Sequence, residues 1–208
     1  MNTLWTFGDS MTEPFQNNNA HWSLEYCNYK GYCPKVYGEI LADKLEMNLV
    51  NRGLGGIDNY TILEKICESA DKIKEDDIVI VGWTSPIRFR IVNDHNVWMN
   101  ILPNYKRNEY TQSISQSTTD EIIVNRDNSL YIKEINNWIK LINKSFLNTI
   151  HWTYVFNSID GVYLPSFNRI ITETNGLCND THYSETGHLE LSNVLYELIV
   201  SKKNKKII

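Results

Sequence analysis

Four consecutive β-branched residues, Ile78-Val79-Ile80-Val81, constrain this chain more than any other stretch. Side chains on a strand point alternately to opposite faces, so a run without polar alternation describes a strand covered on both sides. Strands of that kind belong to parallel sheets lying between two layers of helices. The flanking sequence agrees. Thr3 to Phe7 is a short apolar and β-branched run and Leu49-Val50 a second, and between them Val36, Tyr37, Ile40, Leu41 and Leu45 recur at helical spacing within Cys33 to Met47. From Asp58 or Asn59 as N-cap, Ile62, Ile66, Ala70 and Ile73 mark one helical face. A further face runs through Ile132, Ile135, Trp138, Ile139, Ile142 and Phe146, with Ser129 as its cap. His151 to Phe156 is a strand candidate and Arg169 to Thr174 a weaker one. Ser184 caps a last helix, ending near Val200, whose Leu191, Val194, Leu195, Leu198 and Ile199 face inward. The whole reads as an α/β domain with a mainly parallel sheet of about five strands.

A length of 208 residues fits one such domain, spanning 1–208. Residues 93–129 stand apart, because they are too long for an ordinary connection and mix Trp98, Leu102, Tyr105 and Tyr110 with a Ser/Thr/Gln run. They are expected to form an inserted excursion, too short to enclose a core of its own.

Lys+Arg number 20 against 25 Asp+Glu, a net charge of −5, which leaves no excess of positive charge to hold a phosphate backbone. The one basic cluster, Lys202-Lys203-Asn204-Lys205-Lys206, reads as a solvated helix end, so no nucleic-acid partner is expected. No apolar run is long enough for a bilayer, and no charged and apolar leader precedes Gly8, so neither a membrane partner nor secretion is expected. Cys27, Cys33, Cys67 and Cys178 lack paired C-x-x-C spacing and read as free thiols. No His/Asp cluster has the spacing of a metal site, and no metal or cofactor is expected.

Two short stretches carry chemistry. Phe7-Gly8-Asp9-Ser10 falls where the first strand ends, and ligands of open α/β sheets bind at the carboxyl ends of their strands. The glycine permits a tight turn that brings backbone N–H groups toward an oxyanion. Near the other end, Asn179-Asp180-Thr181-His182-Tyr183-Ser184-Glu185-Thr186-Gly187-His188 sets a carboxylate beside an imidazole just before a helix. A serine hydroxyl becomes a nucleophile when a base takes its proton, and the base needs an acid or a carbonyl to orient it. Each stretch also has a purely structural reading, Gly-Asp-Ser as a turn and Asp180 or Ser184 as a helix cap.

Together the two stretches resemble the SGNH (GDSL-type) hydrolases, which are esterases and lipases. The resemblance implies a flavodoxin-like three-layer α/β/α sandwich and a Ser-His-Asp triad of Ser10, His182 and Asp180 that needs no cofactor. It spans most of the chain, from Thr3 to about Val200, with 93–129 unmatched. Asn51-Arg52-Gly53-Leu54-Gly55-Gly56 matches the family's Asn with Gly five positions on, which selects the Gly56 N–H, with that of Ser10, as an oxyanion donor. The family's Gly-x-Asn-Asp at the third strand is Gly82-Trp83-Thr84-Ser85 here, so Thr84 stands where the oxyanion-binding Asn is usual. Trp-Thr-Ser followed by Arg88 is similar to viral and phage-type relatives, which makes Asp9, Trp83, Ser85 and Arg88 candidate substrate contacts. The usual Asp-x-x-His spacing would put the acid at Asn179, whereas the carboxylate is Asp180; Asp180, Asn179 or a backbone carbonyl could orient His182. His188 matches a structural helix position.

The resemblance implies a serine esterase acting on an acyl or acetyl group of a small-molecule or carbohydrate ester, the sugar suggested by the aromatics Trp98, Tyr105 and Tyr110. The alternative is a glycan-binding or virion-associated module that keeps the fold with catalysis weakened or lost. A cytoplasmic or virion-associated location goes with either.

Overall fold

A computed structural model of the chain describes residues 2–17, 21–86, 88–92, 98–101, 128–155, 159–164 and 167–205. In chain order these form β1 (Thr3–Phe7), α1 (His21–Lys30), α2 (Tyr37–Leu45), β2 (Asn48–Asn51), α3 (Asn59–Cys67), β3 (Ile78–Trp83), β4 (Phe89–Val92), β5 (Trp98–Ile101), α4 (Asn128–Ser145), β6 (Thr149–Thr153), β7 (Val162–Tyr163), α5 (Ile170–Glu173) and α6 (Glu185–Lys205). Five strands make one sheet in the order β2-β1-β3-β6-β7, every pairing parallel. Renumbered within the sheet this is 2-1-3-4-5, the flavodoxin-like winding, whose strand order reverses direction between β1 and β3. The pair β4 and β5 forms a separate antiparallel ladder.

Strand parity divides the core as the Ile78–Val81 run requires. Leu4, Ile78, Ile80, Ile150 and Trp152 pack toward α2 and α6, against Leu41, Leu191 and Leu195. Trp5, Phe7, Val79, Val81 and Trp83 pack the other way onto α3 and α4, through Ile62, Ile66, Ile135 and Ile139. The result is a three-layer α/β/α sandwich with apolar side chains on both faces of the sheet.

Several boundaries differ from the sequence expectation. Arg169 to Thr174 is not a strand but the helix α5, Ile170–Glu173, with its two caps; only Arg169 keeps a β-bridge, to Tyr183. Its β-branched Ile170-Ile171-Thr172 is overridden by the turn that Asn175 and Gly176 form with positive φ, 52° and 83°. The fifth strand is the two-residue β7, and α1 is a helix ahead of the Cys33 to Met47 stretch that the apolar spacing did not mark. Ser129 lies inside α4, one residue past its start, and α6 continues to Lys205. Asp58 does cap α3, its Oδ1 accepting Thr61 N–H at 2.9 Å. Within 93–129, Trp98 belongs to β5, while Leu102, Tyr105 and Tyr110 lie outside the described residues.

No helix among the described residues is long and apolar enough to cross a membrane.

Candidate active site

The carboxyl ends of β1 and β3 carry Gly8-Asp9-Ser10 and Thr84-Ser85, and the loop after β2 runs between them. Beyond β1 the chain folds at once into a turn, with Thr12 and Glu13 N–H both bonded to the Asp9 carbonyl, at 2.8 and 3.1 Å. The Asp9 side chain closes the same turn by accepting Met11 N–H at 3.0 Å. Ser10 is thereby fixed at the turn's first corner, 8% exposed.

Ser10 Oγ lies 2.8 Å from His182 Nε2, and His182 Nδ1 lies 2.5 Å from Asp180 Oδ1. The same Asp180 oxygen accepts the His182 backbone N–H at 2.6 Å, so one carboxylate fixes both the ring and the peptide of the residue two positions on. That closed Asp turn is how an acid one position nearer than the usual spacing reaches the ring, while Asn179 stays exposed. Burial works against charge on Asp180, but hydrogen bonds from His182 and the charges of His182 and Arg169 outweigh it and hold the carboxyl below its ordinary range. The loop is pinned from behind by α5: Ile170 N–H binds the His182 carbonyl at 2.9 Å and Ile171 N–H the Asp180 carbonyl at 2.8 Å. Arg169 adds a bond to the Thr181 carbonyl at 2.9 Å and lies over the Tyr183 ring at 4.3 Å.

Glu173 ties this segment to the helices around it. Tyr26 OH donates to it at 2.6 Å, Lys30 Nζ at 3.2 Å and Thr186 N–H at 3.3 Å, which joins α5 to α1 and to the start of α6. Burial would raise the Glu173 carboxyl, yet these donors together with Ser184 lower it to about 2. His188, one turn into α6, accepts the Tyr37 N–H at 3.3 Å and is enclosed by Phe15, Tyr37 and Tyr183. Burial first, then the charges of His182 and Arg169, press its pKa down to about 3, so His188 stays neutral at neutral pH.

The loop after β2 is laced to the turn that carries Ser10. Asn51 Nδ2 donates to the Thr12 carbonyl at 2.7 Å and its Oδ1 accepts Gly53 N–H at 2.8 Å, while Leu54 N–H binds the Gly8 carbonyl at 3.1 Å. A Cβ at Gly53 would lie 2.6 Å from backbone atoms of Thr12 and Glu13, a gap that only glycine fits. Gly56 has φ +76°, the left-handed conformation that glycine adopts without a Cβ penalty. Neither Ser10 N–H nor Gly56 N–H has a protein acceptor among the described residues.

Thr84, expected as a third oxyanion donor, is turned elsewhere. Its backbone is clamped by the buried amide of Asn59, which accepts Thr84 N–H at 2.9 Å and donates to its carbonyl at 3.0 Å. Its hydroxyl donates to Asp9 Oδ2 at 2.6 Å and so is already committed. The same carboxylate oxygen receives Tyr154 OH at 2.7 Å and Arg88 Nη1 at 2.8 Å. Asp9, 1% exposed, is therefore a buried polar hub joining the ends of β1, β3 and β6 rather than a surface for substrate. Burial, then the charge of Asp9, pushes the Tyr154 phenol up, which keeps it a donor. Trp83 is also withdrawn from the substrate role read from sequence: fully buried, it donates through Nε1 to His151 Nδ1 at 3.1 Å. Ser85 and Arg88 are partly buried at the rim, in a turn closed by Arg88 N–H on the Ser85 carbonyl at 3.1 Å.

Tyr154 and Glu13 were not singled out from sequence, and Asn59 only as an alternative N-cap of α3. Tyr154 sits just past a strand's carboxyl end, the same rule that pointed to Ser10. Glu13 follows Ser10 by three residues, is 8% exposed, and accepts Gly55 N–H through Oε2 at 2.9 Å. Burial raises its carboxyl above the ordinary value, against the Gly55 hydrogen bond and the charges of His182 and Lys65. Among the described residues no group of His, Cys, Asp and Glu side chains could hold a metal ion.

No protein-family model matches the chain, and no curated protein matches it. Among solved structures it is similar to a member of the lipolytic protein G-D-S-L family from Veillonella parvula DSM 2008, at 14% identity and a TM-score of 0.37, over 98% of this chain and 75% of that one. It is also similar to a proposed lipolytic protein of the G-D-S-L family from Desulfitobacterium hafniense DCB-2, at 13% identity and a TM-score of 0.40, over 95% of this chain and 99% of that one.

Proposed function

We propose that the chain is a serine esterase of the SGNH (GDSL) type, cleaving an acyl or acetyl ester through Ser10, His182 and Asp180. One observation carries the reading: an unbroken line of hydrogen bonds from Ser10 Oγ through the His182 ring to the Asp180 carboxylate, at 2.8 and 2.5 Å. His182 Nε2 takes the Ser10 proton as Oγ attacks the ester carbonyl, and Asp180 holds the proton on Nδ1 so that Nε2 is the basic nitrogen. The negative charge that develops on the carbonyl oxygen is met by the N–H groups of Ser10 and Gly56. His182 then gives its proton to the departing alcohol as the carbon–oxygen bond breaks, leaving an acyl group on Ser10. Water repeats the sequence and frees the acid. With a net charge of −5 the easier substrate is an uncharged ester, an acylated carbohydrate among them.

The committed hydroxyl of Thr84 favours a second reading, a glycan-binding module with weak catalysis, because only backbone donors then serve the oxyanion. One experiment separates the two. A fluorophosphonate probe should label the wild type at Ser10, located by peptide mass spectrometry, and the same protein should hydrolyse a short aryl acetate. Ser10→Ala should do neither. Labelling at another serine, or undiminished turnover in Ser10→Ala, overturns the esterase reading; glycan binding with no labelling at all establishes the second.

A further inference from the structure

Glu13 is a buried carboxylate that the reaction outlined above does not use. It occupies a definite place. Its backbone N–H closes the turn that presents Ser10, and its side chain crosses to the neighbouring loop, where Oε2 receives the N–H of Gly55. The peptide that follows carries the Gly56 N–H. Fixing the Gly55 N–H anchors the planar unit that ends at the Gly55 Cα, the pivot about which the unit carrying the Gly56 N–H turns, and a glycine pivot supplies little stiffness of its own. Gly53 against Thr12 and Glu13, and Leu54 on Gly8, hold the same loop further back, but among the described residues only Glu13 binds it at Gly55. Burying a carboxylate for one backbone hydrogen bond is costly, which a role in packing would not require, since an apolar side chain could fill the same volume.

We propose that Glu13 is a positioning residue of the esterase site: its carboxylate holds the Gly55-Gly56 segment so that the Gly56 N–H meets the oxyanion. This rests on the serine-esterase reading. The negative charge that develops during acylation falls on the substrate carbonyl oxygen, so a donor displaced by a loosened loop weakens the transition state while the resting protein stays folded.

The readout is the second-order rate of fluorophosphonate labelling at Ser10, which needs no knowledge of the natural substrate. Glu13→Gln keeps an acceptor for Gly55 N–H, and Glu13→Ala loses it. Glu13→Gln should label within about threefold of wild type, and Glu13→Ala roughly tenfold more slowly than that, as a misplaced oxyanion donor does. Thermal melts of both variants report folding, and if Glu13→Ala does not fold the Gln variant decides alone. Glu13→Gln labelling about tenfold or more below wild type, or Glu13→Ala labelling at the wild-type rate, overturns the proposal while leaving the esterase reading intact. Failure of the wild type to label at Ser10 brings down the esterase reading, and this proposal with it.

Discussion

Thr84 Oγ1 donates to Asp9 Oδ2 across 2.6 Å, and this bond decides what the end of β3 can contribute to a reaction. A hydroxyl has one proton, so Thr84 cannot serve an oxyanion while it serves Asp9. Thr84→Val leaves Asp9 Oδ2 with Tyr154 and Arg88, and should lower stability by about 1–3 kcal/mol, measured by urea unfolding. Labelling at Ser10 should stay within about threefold of wild type, whereas loss of a true oxyanion donor costs on the order of a hundredfold. A loss of that larger size would return Thr84 to the oxyanion hole.

Asp180→Asn keeps an oxygen for the His182 backbone N–H but offers the ring a choice of amide faces, so the imidazole no longer holds its proton on Nδ1. Turnover of an aryl acetate should fall by about 10⁴, with the melting temperature little changed. Asn179→Ala, at the exposed neighbouring position, should leave turnover unaltered. If the two variants behave alike, orientation of His182 does not come from Asp180.

Gly53 and Gly56, both in the loop after β2, differ in kind. Gly53→Ala drives a Cβ to within 2.6 Å of the Thr12-Glu13 backbone, which cannot yield without separating the loop from the Ser10 turn. Gly56→Ala meets open space and costs only its left-handed backbone, about 1–2 kcal/mol. Gly53→Ala should therefore be the more damaging to both melting temperature and labelling rate; the reverse order would show that the two loops are not held together at Gly53.

Two histidines predict how stability changes with pH. Burial lowers His188 and His151 to about 3 from an ordinary value of 6.5, so the folded protein keeps both neutral while the unfolded chain protonates them. Their contribution is fully present above about pH 6.5 and is lost as pH falls toward 3, by up to about 1.4 kcal/mol per pH unit for each. Urea midpoints measured from pH 7 to pH 5 should fall. In His188→Gln, which retains an acceptor for Tyr37 N–H, that slope should be roughly half as steep; an unchanged slope would mean that His188 is not the group responsible.

Glu173 acts in a lower window. Its carboxyl is depressed to about 2, so the stability it gives is present above its ordinary value of 4.5 and drains away as pH falls toward 2. Glu173→Gln should melt at a lower temperature than wild type at pH 7, and the difference should close between pH 4 and pH 2. A gap that persists at pH 2 would assign the effect to packing.

How far the sequence reached can be traced residue by residue. The sheet was legible because Ile78-Val79-Ile80-Val81 admits one environment, and the Ser10 and His182 stretches because each pairs a reactive side chain with a strand end or a helix start. Trp83 could have been placed correctly by the same parity, since it continues the face of Val79 and Val81 into the core. The orientation of Thr84 could not, because it is set by Asn59 from α3 and Asp9 from the end of β1, partners 25 and 75 residues away. Helix α1 escaped notice because its Asn and Tyr residues show no apolar stripe, and α5 because three β-branched residues outweighed, in a local reading, the turn that follows them.

The bond between Ser10 and His182 joins positions 172 residues apart. On the proposed esterase reading, a growing chain therefore carries Ser10 for 172 residues of synthesis before the base that would activate it is made. Closing so long a loop adds only about 0.6 kcal/mol over one half its length, so the distance delays the encounter in time far more than it weakens it in energy. On that reading, reactivity at Ser10 arises in one step, when α6 settles onto α2 and brings the histidine loop with it.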